Sequence, residues 1–127
     1  MADTTDFERL GGEAVLRPLI DAFVDRCFDD VMIGFHFRKA DRERVKRFEY
    51  QHAARFFGAD VVYEGRALTK AHGAHPILGG QFMRRRQLLL ETARAHGMPD
   101  DLVDAWLAHQ DALRGEITQQ VGSGCHD

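Results

Sequence analysis

The chain reads as an all-α domain, and three observations carry that reading. Apolar residues recur three and four apart along several long segments, the spacing of one helix face. Glycine pairs at Gly11-Gly12 and Gly79-Gly80, and single glycines at Gly58 and Gly97, punctuate those segments. A length of 127 residues, 44% hydrophobic and 29% charged, suits one domain with one core in water. That domain is expected over 1–121, with 122–127 as a flexible C-terminal tail.

Asp6 is placed to cap a short first helix ending at Gly11-Gly12, where glycine lets the next helix cross at close range. The second helix is expected over Glu13–Asp29, with Leu16, Leu19, Ile20, Phe23, Val24 and Cys27 on one face. Asp29 and Asp30 interrupt it. The run from Val31 to Phe37 is too short for a long helix and reads as a helical turn and corner against the core. The third helix is expected over Lys39–Phe57. Its stripe of Val45, Phe48 and Phe56, with Ala53 beside it, also carries Glu49 and His52. That is unusual, because an unpaired buried carboxylate is costly. Gly58–Arg66 reads as a loop, with Val61-Val62-Tyr63 locally extended. A short helix from Ala67 carries His72, and Pro76 and Gly79-Gly80 turn the chain. The fourth long helix is expected over Gln81–His96, with Phe82, Leu89, Leu90 and Ala93 inside and Arg85 and Arg86 at the stripe's edges. The last helix starts at Pro99, which favours a first turn. Asp100 and Asp101 suit the positive end of its dipole, and Leu102, Trp106, Leu113 and Ile117 form its inner face.

Net charge is −3, which gives no global reason to expect nucleic acid or anionic membranes as partners. No apolar run approaches the length that spans a bilayer. The acidic opening lacks the layout of a signal peptide. Cys27 and Cys125 read as two free thiols of a reducing compartment, so a cytoplasmic location is expected. No CxxC or CxxCH occurs, so neither a thiolate zinc site nor covalent haem attachment is signalled.

His72 is the most informative residue. It closes a short helix, with Ile77 and Phe82 spaced after it and a long apolar pattern following. A single histidine backed by bulky apolar residues suits the proximal ligand of a haem iron. Its neighbours fall into a recognisable order. Phe7-Glu8-Arg9-Leu10-Gly11-Gly12-Glu13 has an aromatic-x-x-apolar-Gly-Gly form, Phe23 and Phe37 follow, and Gly58 and Tyr63-x-Gly65-Arg66 precede Ala71-His72. In this register, from Phe7 to about Thr118, the chain resembles the truncated haemoglobins, the 2-on-2 globin family, and most of all its first group.

The resemblance implies a 2-on-2 helical sandwich around one haem b, with His72 as proximal ligand and its second ring nitrogen oriented by a carbonyl. Phe37, Ile77 and Phe82 would cover the macrocycle with the third-helix residues Val45, Glu49, His52, Ala53 and Phe56. His75, followed by Pro76, is the competing ligand and reads as a loop residue at the haem edge. Lys46, Arg47 and Lys70 are candidates for the propionates. On the distal side the family commonly places a tyrosine just after the second-helix phenylalanine, and this chain has Val24 there. The ligand-facing candidates are therefore Val24, Glu49, His52 and Arg85, with Glu49 and Arg85 expected to meet as a pair. The implied function is reversible binding of a diatomic ligand, O2, NO or CO, as in oxygen binding or transport, with a reductase as a possible partner. Nitric oxide dioxygenase or peroxidase-like turnover are enzyme readings. A globin-fold sensor or partner-binding protein with weak or absent haem binding is the alternative. Oligomeric state is left open.

Overall fold

The structure is a computed structural model that describes residues 4–64 and 79–124, and the side chains of 4–64 and 80–113. Lys70, His72, His75, Ile77 and Cys125 lie outside the described residues, as does the side chain of Ile117. Helix α1 (Asp6–Leu10) is capped by Thr5 rather than Asp6: the Thr5 hydroxyl accepts from the Glu8 N–H at 3.1 Å. Gly11 and Gly12 then take φ values of 116° and 67°, a turn that side chains with a Cβ resist. Phe7 N–H donates to the Phe57 carbonyl at 2.8 Å, tying this opening to the end of the third helix.

Helix α2 (Glu13–Asp29) has the expected bounds and buries Leu16, Leu19, Ile20, Phe23, Val24 and Cys27. The residue after it organises the corner. Asp30 Oδ2 accepts from the N–H groups of Met32 and Ile33 at 2.9 and 3.1 Å. Its Oδ1 accepts from Arg84 Nε and Nη2 at 2.9 and 2.8 Å. The Asp30 side chain is only 5% exposed. One carboxylate thus pins the chain leaving α2 to a helix far along the sequence.

The corner is a 3-10 turn, Gly34–Phe37. It packs less fully than expected: Ile33 is buried and Phe37 stacks on Phe28 at 4.9 Å, but Val31 and Phe35 are exposed. Gly34 approaches α2 closely, and a Cβ there would lie 2.5 Å from the Phe28 carbonyl oxygen. Gly34→Ala is therefore expected to cost about 1–3 kcal/mol. It should appear as a lower urea midpoint at unchanged slope; an unmoved midpoint would mean that the corner adjusts freely.

Helix α3 (Arg42–Phe56) starts later than expected, because the Asp41 carboxylate accepts from the Arg44 N–H at 3.3 Å and caps it. Gly58 (φ 98°) follows the helix. The stretch around Val61-Val62-Tyr63 forms no strand. It is held instead by Gln51, whose amide donates to Glu64 Oε1 at 2.6 Å while its oxygen accepts from the Glu64 N–H at 3.0 Å. Helix α4 (Gly79–Ala95) begins within the glycine pair, and α5 (Asp100–Gly124) stays helical into the segment expected as a tail.

Side-chain pairing gives the directions. Arg42 and Lys46, early in α3, reach Asp25 and Asp29, late in α2, at 3.0–3.2 Å. Arg17, early in α2, lies 4.0 Å over the Tyr50 ring. So α2 and α3 run antiparallel. Arg26 reaches Glu91 and Asp30 reaches Arg84, so α4 opposes α2. Arg86 holds Asp111 through two bonds, and α4 pairs with α5 across the Gly97 turn. Partly exposed ion pairs of this kind each contribute at most about 1 kcal/mol. The stability comes from the shared core, where Leu16, Leu19, Ile20, Ala54, Leu88, Leu89 and Val103 are almost fully buried and Phe57 meets Trp106 edge-on at 5.2 Å. Two helix pairs, α2–α3 and α4–α5, are layered on one another. Among the described residues there is no strand, and no helix long and apolar enough to cross a membrane.

Candidate functional site

Helix α3 has two working faces rather than the one stripe expected. Tyr50, Ala53, Ala54 and then Phe57 turn into the core. Val45, Glu49, His52 and Phe56, spaced four, three and four, form a second face that is only half-buried. Ala53 thus belongs with Tyr50 in the core, and Tyr50 is anchored there beneath Arg17. Phe48 lies off both faces, with the guanidinium groups of Arg44 and Arg47 at 5.2 and 5.1 Å from its ring.

Across from the half-buried face stand α4 and α5. Arg85 Nη1 donates to Gln110 Oε1 at 2.6 Å, and Arg85 Nη2 lies 3.4 Å from Glu49 Oε2. The guanidinium carbon sits 5.1 Å from the Phe23 ring centre. The Arg85 side chain is 14% exposed and that of Glu49 is 35% exposed. The cation is therefore desolvated and fixed, whereas the carboxylate keeps access to water. Val24, beside Phe23, is buried and offers only hydrocarbon.

His52 presents its ring to Tyr63 edge-on at 5.5 Å and lies near-parallel to His109 at 5.9 Å. His109 in turn stacks on Phe56 at 4.4 Å. Burial pushes the His52 pKa below that of an ordinary histidine, opposed by the Glu49 carboxylate and reinforced by Arg85 and Arg55. His52 is thus neutral at pH 7 and has one nitrogen to donate and one to accept. Burial, with Glu49 adding to it, raises the Tyr63 phenol and keeps it protonated. The Cys27 thiol is pushed up to about 12, mainly by burial, which makes it inert.

Gln110, His109 and Tyr63 are parts of this cluster that sequence reasoning missed. Gln110 left a usable signal, since it falls between Trp106 and Leu113 on the inner face of α5, where a polar residue must find a partner. Phe82 is buried apart from the main core, in a small cluster with Leu113, one turn before Arg85. Phe37 packs on Phe28. Lys46 is committed to Asp25 at 3.0 Å and Glu43 at 3.6 Å, so it is taken up in the α2–α3 seam. Arg47 is exposed beside Phe48.

Among the described residues no three His, Cys, Asp or Glu side chains converge as a metal site would require. What they offer is a half-open apolar face, Val45 and Phe56, surrounding partnered polar groups. A half-buried apolar face that carries hydrogen-bonding side chains is the kind of lining that suits a large, mostly apolar cofactor.

No protein-family model matches the chain. It is 28% identical over 104 residues to a group 1 truncated hemoglobin of Synechocystis sp., covering 79% of this chain and 84% of that protein. A group 1 truncated hemoglobin of Tetrahymena thermophila is 21% identical over 99 residues. Among solved structures, the Fe(III) form of truncated hemoglobin from Tetrahymena pyriformis superposes with a TM-score of 0.81 at 20% identity, covering 90% of this chain and 97% of that one. The 2/2 hemoglobin from Synechococcus sp., cyanomet and with covalently attached heme, gives 0.82 at 19% identity, covering 91% and 99%.

Proposed function

We propose, for a chain that has the 2/2 globin fold and resembles the group 1 truncated hemoglobins, that it holds one haem b and binds a diatomic gas, O2, NO or CO. The observation that carries this reading is the half-buried face of α3, with Val45 and Phe56 around Glu49 and His52, set opposite the Arg85–Gln110 pair. Bound haem would supply the iron at which the gas binds. His72 is the proposed proximal ligand, and Ile77 and Phe82 the proposed apolar cover on its side. Val45, Glu49, His52 and Phe56 are the proposed distal wall, and Phe37 an edge contact.

With Val24 unable to donate a hydrogen bond, the donors toward a bound gas are Arg85 and neutral His52. Such donors favour a polarised ligand such as O2 over CO. A cytoplasmic location and a reductase that keeps the iron ferrous complete the proposal.

The test is an absorption spectrum of the full chain produced with ample haem. A Soret band that moves when CO is added to the reduced protein is the expected result. A chain that stays colourless after reconstitution with haemin, while remaining folded, would be the sensor or partner-binding alternative instead.

A further inference from the structure

We propose that Arg85 and Glu49 form a small-anion site where α3 faces α4, in which Arg85 is the binding group and the Glu49 carboxylate its displaceable counter-ion. The three consecutive arginines of α4 show why. Arg84 meets Asp30 through two bonds of 2.8 and 2.9 Å, and Arg86 meets Asp111 through two of 2.8 and 3.1 Å. Arg86 is held fork-to-fork by both oxygens of its carboxylate, and Arg84 gives two short bonds to one oxygen, Asp30 Oδ1. Arg85, between them, is anchored by a neutral acceptor, Gln110 Oε1, at 2.6 Å, and meets its carboxylate through a single contact of 3.4 Å, near the outer limit of a hydrogen bond.

A guanidinium carries five N–H donors in a rigid fork. Those of Arg85 are underused, and the group cannot leave for water. Its side chain is 14% exposed, the Phe23 ring lies against it, and its neighbours on α4 are tied to α2 and α5. Glu49 is the more exposed partner, with a third of its side chain open to water. A desolvated cation with a loose counter-ion gains most from an anion small enough to enter. The class is therefore small monovalent anions such as azide, fluoride and nitrite, which also ligate ferric haem. On this account the Arg85–Glu49 pair sets the site's preference for charged over neutral ligands. Its delivery to iron rests on the haem reading above.

Two readouts test it. In the ferric haem protein at pH 7, Arg85→Met is expected to weaken azide binding by roughly 10–100-fold, the loss of a charge-assisted hydrogen bond. CO binding to the ferrous form should weaken by much less than azide binding, because CO carries no charge to pair. Glu49→Gln removes the competing carboxylate and is expected to tighten azide severalfold. A general loss of folding would weaken both variants, so the opposite signs separate the proposal from it. Unchanged azide affinity in Arg85→Met, or weaker binding in Glu49→Gln, overturns it.

The second readout is the guanidinium 15N resonances of the chain as purified, titrated with sodium azide. Arg85 is expected to respond ahead of Arg84 and Arg86, and a uniform or absent response overturns the anion site. This arm keeps its meaning if no Soret band forms, so failure of the haem reading and failure of the anion site are told apart.

Discussion

Asp30→Ala is expected to destabilise the fold by about 3 kcal/mol, because it strands several groups at once. The Met32 and Ile33 N–H groups lose their acceptor at a partly exposed corner, and Arg84 loses both of its bonds. Arg84 is 38% exposed and can recover some hydration, which keeps the cost below that of a fully enclosed pair. For a chain of this size the melting temperature should fall by roughly 10 °C. Asp30→Asn keeps an acceptor for the corner and should lose about half as much.

The pH dependence has a definite sign. The Arg84 guanidinium holds the Asp30 carboxyl below its ordinary value of 3.8, against the opposing effect of burial and with help from the Met32 and Ile33 N–H groups. A depressed carboxyl contributes stability that is fully present above the unfolded value and lost as pH falls through the folded one. The difference between wild type and Asp30→Ala should therefore hold from neutral pH down to about pH 4 and narrow only below it. Chemical denaturation at pH 7, 5 and 3 reads this directly. A gap that widens in acid would assign the carboxylate the wrong role.

His72→Ala carries the largest expected functional effect. If His72 holds the iron, haem retention should fall by more than the roughly 10–100-fold that loss of a hydrogen-bond partner behind a metal ligand costs. The Soret band of the purified variant should be absent or strongly diminished while the helical circular dichroism persists, since α2, Leu88, Leu89 and Val103 share an extensive buried core. His75→Ala serves as the control and should keep its spectrum. The reverse pattern would move the proximal ligand to His75.

The helices were legible because apolar spacing is a local property. Leu16, Leu19, Ile20, Phe23, Val24 and Cys27 mark α2 without any tertiary knowledge, and all are buried. Caps were less legible: Thr5 and Asp6 are adjacent acceptors, and only the path of the backbone decides which one meets the Glu8 N–H. The division of α3 into two faces was hidden for another reason. Tyr50 reads as polar by composition, yet Arg17 covers its ring and lets it join the core. Glu49 and Arg85 announced themselves by interrupting apolar stripes, and they do meet. Gln110 showed its inward position by falling between Trp106 and Leu113, but its partner Arg85, on another helix, leaves no periodic trace. The haem proposal came from the order of motifs from Phe7 to about Thr118, a resemblance spread along the chain rather than a property of any one element.

Trp106 is the chain's single tryptophan, 3% exposed and set edge-on against Phe57 where α3 meets α5. Its emission thus comes from one dry location at the seam of the two helix pairs. Unfolding would wet the indole and move that emission to the red. A haem lodged between the pairs would instead absorb the emitted light and darken it without a change of colour. The chain carries an optical probe in which loss of shape and gain of pigment leave different signatures, and both can be followed in one cuvette without a label.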